Sequence, residues 1–180
     1  MRSRHWLGGL GIGIGLLAST LALAGDVEDK KGMKTAEETL TKALASVSAP
    51  QSCGKNSMKF SIDWPSFADT YVHCSPDCAA NGKLEIGPQN VGGSSAVFDG
   101  MASVCRDDNK DLKEALVAKV KNVVIKYDPT ATPDKLEKGV GGGPNSGPRL
   151  TLKNGTLTVG YNWKLANISS ETAFWFRKHL

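Results

Sequence analysis

The densest group of reactive side chains in this sequence is Tyr71-Val72-His73-Cys74-Ser75-Pro76-Asp77-Cys78. Two thiols and an imidazole are zinc-ligand types. The spacing argues against a metal: a C-x3-C pair with histidine directly before the first cysteine is not a zinc arrangement. It is not the C-x-x-C of a thiol redox centre either, and no βαβ pattern surrounds it. A Ser-His-Asp triad would have to use His73 with a serine outside any G-x-S-x-G elbow. Carboxylate pairs could be drawn from Asp63, Asp69, Asp77, Glu85 or Asp99, but a chain with 18 acidic residues offers such pairs by chance. The run Gly139-Val140-Gly141-Gly142-Gly143 lacks the G-K-[ST] ending of a phosphate loop. No catalytic residue, metal or cofactor is expected.

Aromatic side chains are the remaining candidates. Trp64, Tyr71, Trp163 and Trp175, with His73 beside them in type, could line a binding surface. Core packing competes with that reading, because Trp64 and Trp163 fall on the apolar side of alternating segments.

The cysteines take their meaning from the N-terminus. Arg2 and Arg4 precede an uncharged stretch from Trp6 that ends in Ala22-Leu23-Ala24. This is the plan of a secretory signal peptide, cut before Gly25. The 19 residues from Trp6 to Ala24 could just span a bilayer, yet five are glycine and the cleavage pattern is complete. Residues 1–24 are therefore expected to leave, with no stable membrane anchor after cleavage, and the mature protein is expected in a periplasm or outside the cell.

In such a compartment Cys53, Cys74, Cys78 and Cys105 predict two disulfides. Cys74–Cys78 closes a short local loop, which leaves Cys53–Cys105. The sequential pairing, Cys53–Cys74 with Cys78–Cys105, stays open.

Cleavage leaves 156 of 180 residues, a single domain with enough chain to bury a core. It also reduces 22 basic residues to 20 against 18 acidic ones. That balance excludes a dedicated nucleic-acid binder.

The elements that must position these residues follow from periodicity. Residues 25–34 read as a flexible leader and 35–180 as the domain. Thr35-Ala36-Glu37-Glu38 fits a capping box, so a helix is expected from Thr35 to Val47 with Leu40, Ala43, Leu44 and Val47 on one side. Met58, Phe60, Ile62 and Trp64 alternate with polar residues, as in a half-buried strand. Helices are expected from Ser94 or Ser95 to Cys105, from a cap at Asp108, and from Ser169 or Ser170 to Lys178. Val123–Tyr127 predicts a strand. Residues 128–149 form a long Pro/Gly-rich loop. Asn154-Gly155 predicts a type I′ hairpin pairing Leu152 with Leu157 and Leu150 with Val159.

The expected fold is α+β, an antiparallel sheet of about four strands with helices mainly on one face, stapled by disulfides. The expected role is a non-enzymatic domain that binds a protein or an envelope component. The alternative is a small secreted hydrolase using carboxylates or His73 near the 128–149 loop.

Overall fold

A computed structural model describes residues 15–55, 57–70, 87–130, 148–162 and 168–180, with side chains from residue 27 onward except that of Asp69. Tyr71, His73, Cys74, Cys78 and Trp163 lie outside the described residues, as does most of the 128–149 loop.

The first helix, α1, runs Gly15–Val47. It therefore passes through the segment expected to be a flexible leader, and Thr35 is not its cap. The Thr35 hydroxyl instead donates to the Lys31 carbonyl one turn back, at 3.0 Å, as threonines inside helices do. The stripe that holds α1 down begins earlier than Leu40. Gly32, Ala36, Leu40 and Val47 are all buried. Gly32 is in such close contact that a Cβ there would lie 3.1 Å from the Gln89 amide nitrogen and 3.2 Å from the Pro88 Cβ.

Strand β1 is Lys59–Ile62. It ends two residues sooner than the alternation suggests because Pro65 cannot donate to a ladder but suits a first helical turn. Trp64 thus opens the short helix α2, Trp64–Phe67, rather than extending the strand. A 3₁₀ turn, Ala68–Thr70, follows. A longer 3₁₀ segment, Pro88–Ser95, leads into α3, Ala96–Arg106. Ser95 makes no side-chain cap, since the chain is already coiled when α3 starts. Helix α4 is Lys110–Lys119, and its cap is Asn109 rather than Asp108: the Asn109 Oδ1 accepts from the Leu112 amide at 3.0 Å. Strands β2 (Asn122–Tyr127), β3 (Arg149–Lys153) and β4 (Thr156–Tyr161) and helix α5 (Ile168–His179) complete the order.

The sheet is mixed, which corrects the antiparallel expectation. Its order is β1-β2-β4-β3. Strands β1, β2 and β4 run parallel, and only β3 pairs antiparallel, with β4. Parallel neighbours need long crossovers, and the chain supplies them. The β1–β2 connection carries α2, α3 and α4, and the chain leaving β2 reaches the far edge before β4 returns beside β2. The hairpin register is Leu152 opposite Leu157 and Leu150 opposite Val159, with φ of 49° at Asn154 and 77° at Gly155. Both lie in the left-handed region that this turn requires.

One face of the sheet is apolar. Val123, Ile125, Leu157 and Val159 are fully buried there, with Phe60, Ile62, Leu150 and Leu152 partly buried beside them. They join a core that includes Phe98, Met101, Val104, Leu116 and Phe176. Phe60 and Phe98 meet edge to face at 6.0 Å, linking β1 to α3. A side chain such as Phe98 contributes roughly 2–3 kcal/mol by leaving water. Helix α3 also touches α1, α4 and α5, and the Arg177 guanidinium clasps the Asp107 carboxylate at 2.8 and 3.2 Å, tying α5 to the end of α3.

The Cys53 and Cys105 sulfurs are at bonding distance, 1.96 Å, and the two positions are 52 apart in sequence. The link ties the turn after α1 to the last turn of α3.

Candidate functional site

Of the aromatic candidates, only Trp64 and Trp175 fall among the described residues, and their contacts differ. The Trp64 Nε1 donates to Glu37 Oε1 at 3.2 Å, and its ring meets Phe67 edge to face at 6.2 Å. Its role is to brace α2 against α1. Trp175 packs on Phe176 at 5.2 Å and stacks with His179 at 4.5 Å, near the end of α5. His179 Nδ1 lies 2.8 Å from the Trp175 carbonyl. The two tryptophans have no partner in common. Asp63 is an exposed residue at the start of α2. No three His, Cys, Asp or Glu among the described residues converge as metal ligands.

Two features that residue-by-residue reading missed are more informative. The first is the exposed face of the sheet. The four strands contain four charged residues, Lys59, Lys126, Arg149 and Lys153, and all are cations. Alternation places all four on the side opposite the apolar set, and all four are exposed. The register arranges them in two rows. Lys59, Asn122, Thr156 and Lys153 align across all four strands, and Lys126, Gly160 and Arg149 align across three. Strand spacing separates the cations by about 14 Å in the first row and about 10 Å in the second, and the rows lie about 13 Å apart. Ser61, Val124, Thr158 and Thr151 fill the middle row. The result is a patch of hydroxyl and amide groups around Val124, with a cation near each corner and no aromatic ring among the described residues of this face.

Asp128 sits at the margin of this patch and orders it. Its Oδ1 accepts from the Thr130 amide at 2.9 Å and from the Thr130 hydroxyl at 2.7 Å, while Oδ2 lies 3.8 Å from Arg149 Nη1. The carboxylate crosses over Gly160, where a Cβ would come within 3.0 Å of Oδ2. Partial burial works to raise the Asp128 pKa, but the Thr130 hydrogen bonds and the Arg149 and Lys126 charges outweigh it and hold the value below normal.

A depressed carboxyl pKa stabilises the fold above the unfolded value, about 3.9, and that contribution is lost as pH falls through the lower folded value. Asp128→Asn is therefore expected to cost about 1 kcal/mol or less at neutral pH. Urea unfolding from pH 2 to 7 should show the gap between the two proteins constant above about pH 5 and closing below about pH 4.

The second feature is a groove of about 460 Å³ along α4. Its apolar lining is Cys53, Val117 and Ala118. Lys110, Lys113 and Lys121 rim it, with Glu114 as the one acid. Lys113 Nζ donates to the Ser52 carbonyl at 2.6 Å and Lys121 Nζ to the Val117 carbonyl at 2.8 Å, while Lys110 lies 3.6 Å from Glu114.

No protein-family model matches the chain, and comparisons with curated proteins and with solved structures return no match. Among the described residues, no helix is long and apolar enough to cross a membrane.

Proposed function

We propose that this chain is an exported, disulfide-stabilised binding domain without catalytic activity, and that the exposed sheet face docks on an acidic polysaccharide of the cell envelope. One observation carries the reading: every charged residue on the four strands is a cation, and all four project from the exposed face. In a mature chain of nearly balanced charge, that segregation leaves the acids of the described residues to the helices and connections. The reading takes the helices to cover the apolar face alone.

The chemistry of the patch selects the partner. Its cations stand at or beyond the Debye length of physiological salt, about 8 Å, so they cost little to hold apart. A chain bearing a carboxylate on successive sugars can meet several of them at once, while Ser61, Thr151, Thr156 and Asn122 offer hydrogen bonds to sugar hydroxyls. Single-stranded nucleic acid would want stacking platforms, and the described residues of this face supply none. Export is supported by the N-terminal pattern ending at Ala24 and by the Cys53–Cys105 pair.

Polygalacturonate, neutral dextran and duplex DNA serve as probes. Binding to polygalacturonate should be saturable and weaken with salt, and the Lys126→Glu/Lys153→Glu variant should lose at least tenfold in affinity. Equal binding to dextran, preference for DNA, or an unaffected variant would overturn the assignment. N-terminal sequencing of the exported protein should read Gly25 first.

A further inference from the structure

We infer that the groove along α4 is a second binding site, for a free fatty acid, that is, a single acyl chain ending in a carboxylate. This goes beyond the polysaccharide reading and does not depend on it, since the groove and the sheet patch have no residue in common.

Size, lining and charge together define the occupant. A volume of about 460 Å³ lies within the usual range for small-molecule sites, about 300–1,000 Å³. Cys53 brings disulfide sulfur and Val117 and Ala118 bring aliphatic carbon, so the interior offers an acyl chain contacts and offers a polar ligand little. The lysine stems lengthen that apolar wall while their ammonium heads stay at the water boundary.

Three lysines against one glutamate favour an anionic head and disfavour a cationic one. Lys113 is the residue placed to receive it. It is half-buried, its position is fixed by the Ser52 carbonyl, and an ammonium has three protons to donate where that carbonyl uses one. Lys110, at the start of α4, and Lys121, two residues beyond its end, add positive charge to the rim. An amphiphile with one charge is what such a surface selects: the chain alone would leave three lysines with Glu114 as their one counter-charge, and the head alone would leave the apolar lining in water.

Isothermal titration of the full exported protein separates the possibilities. Decanoate, kept below its micelle concentration, should bind saturably at one per chain. Acetate, which has the head without the chain, and decyltrimethylammonium, which has the chain with the opposite charge, should each bind at least tenfold more weakly.

Ala118 is exposed, so Ala118→Trp can fill the groove without disturbing the core. It should weaken decanoate binding at least tenfold while polygalacturonate binding stays as in the wild type. Lys121→Glu provides a second variant and should weaken decanoate at least threefold. Absence of saturation with decanoate, equal affinity for decyltrimethylammonium, or wild-type decanoate binding by both variants would overturn the inference. Loss of polygalacturonate binding in Lys126→Glu/Lys153→Glu, with decanoate unaffected, is the pattern that keeps the two sites distinct.

Discussion

Replacing Cys53 and Cys105 together with alanine should lower the unfolding free energy by about 4 kcal/mol and the thermal midpoint by about 8–16 °C. The basis is the unfolded chain. The link joins positions 52 residues apart, and tying ends that far separated removes much of the freedom the denatured state would otherwise hold. Both cysteines are buried, at 6 % and 4 % exposure, so alanine also removes some apolar contact and the change is not purely one of chain entropy. Thermal melts with and without reductant should show at least that shift in the wild type, while the double variant should keep only the smaller effect of the expected short Cys74–Cys78 link. A wild-type midpoint indifferent to reductant, or intact-mass data showing four free thiols in the exported protein, would refute the staple. The effect also bears on compartment: protein produced in a reducing cytosol should be the less stable form.

The second large effect is expected at Gly100, inside α3. Alanine there should cost about 3 kcal/mol, the upper end of what overpacking brings. A Cβ at this position would lie 2.6 Å from the Ser169 carbonyl oxygen, 2.7 Å from the Thr172 Cβ and 3.1 Å from the Ala173 amide nitrogen. Two of those atoms are backbone of α5. The third belongs to a fully buried threonine whose hydroxyl is committed to the Ile168 carbonyl at 2.6 Å. None can turn aside as a flexible side chain would. The sign is informative, because intrinsic propensity alone makes Gly→Ala in a helix favourable by about 1 kcal/mol. Urea unfolding of Gly100→Ala decides between them: destabilisation reports close α3–α5 packing, and stabilisation would mean that the two helices do not meet at this point.

Where the sequence was legible, the information was local. Asn154-Gly155 between two alternating runs specifies a turn, a register and a face together, and β3 and β4 follow it. Val97, Phe98, Met101 and Val104 fix the buried side of α3 because helical spacing leaves them nowhere else to go. Alternation in β1 and β2 likewise assigns each residue a face. What alternation cannot encode is which strand lies beside which, or in which direction, and the antiparallel expectation failed on that point. The start of α1 was hidden for a related reason: Thr35 and Glu38 have the local signature of a cap, but Gly32 resting on Pro88 and Gln89 extends the packed surface upstream. The cationic patch was out of reach until strand order was known. Lys59 and Lys153 are 94 positions apart in sequence and enter one row only through the β1-β2-β4-β3 arrangement.

That arrangement also sets an order of assembly. Strand β4 is the last to be synthesised, yet it lies inside the sheet, with β2 on one side and β3 on the other. A chain halted after Lys153 would lack the middle of its sheet rather than an edge. Strands β1 and β2 would form a two-stranded ribbon and β3 would have no partner in the ladder. Until residues 156–161 arrive, β2 presents an open row of amides and carbonyls to any passing strand. On a growing chain the four-stranded sheet can therefore close only when residues 156–161 take the place between β2 and β3.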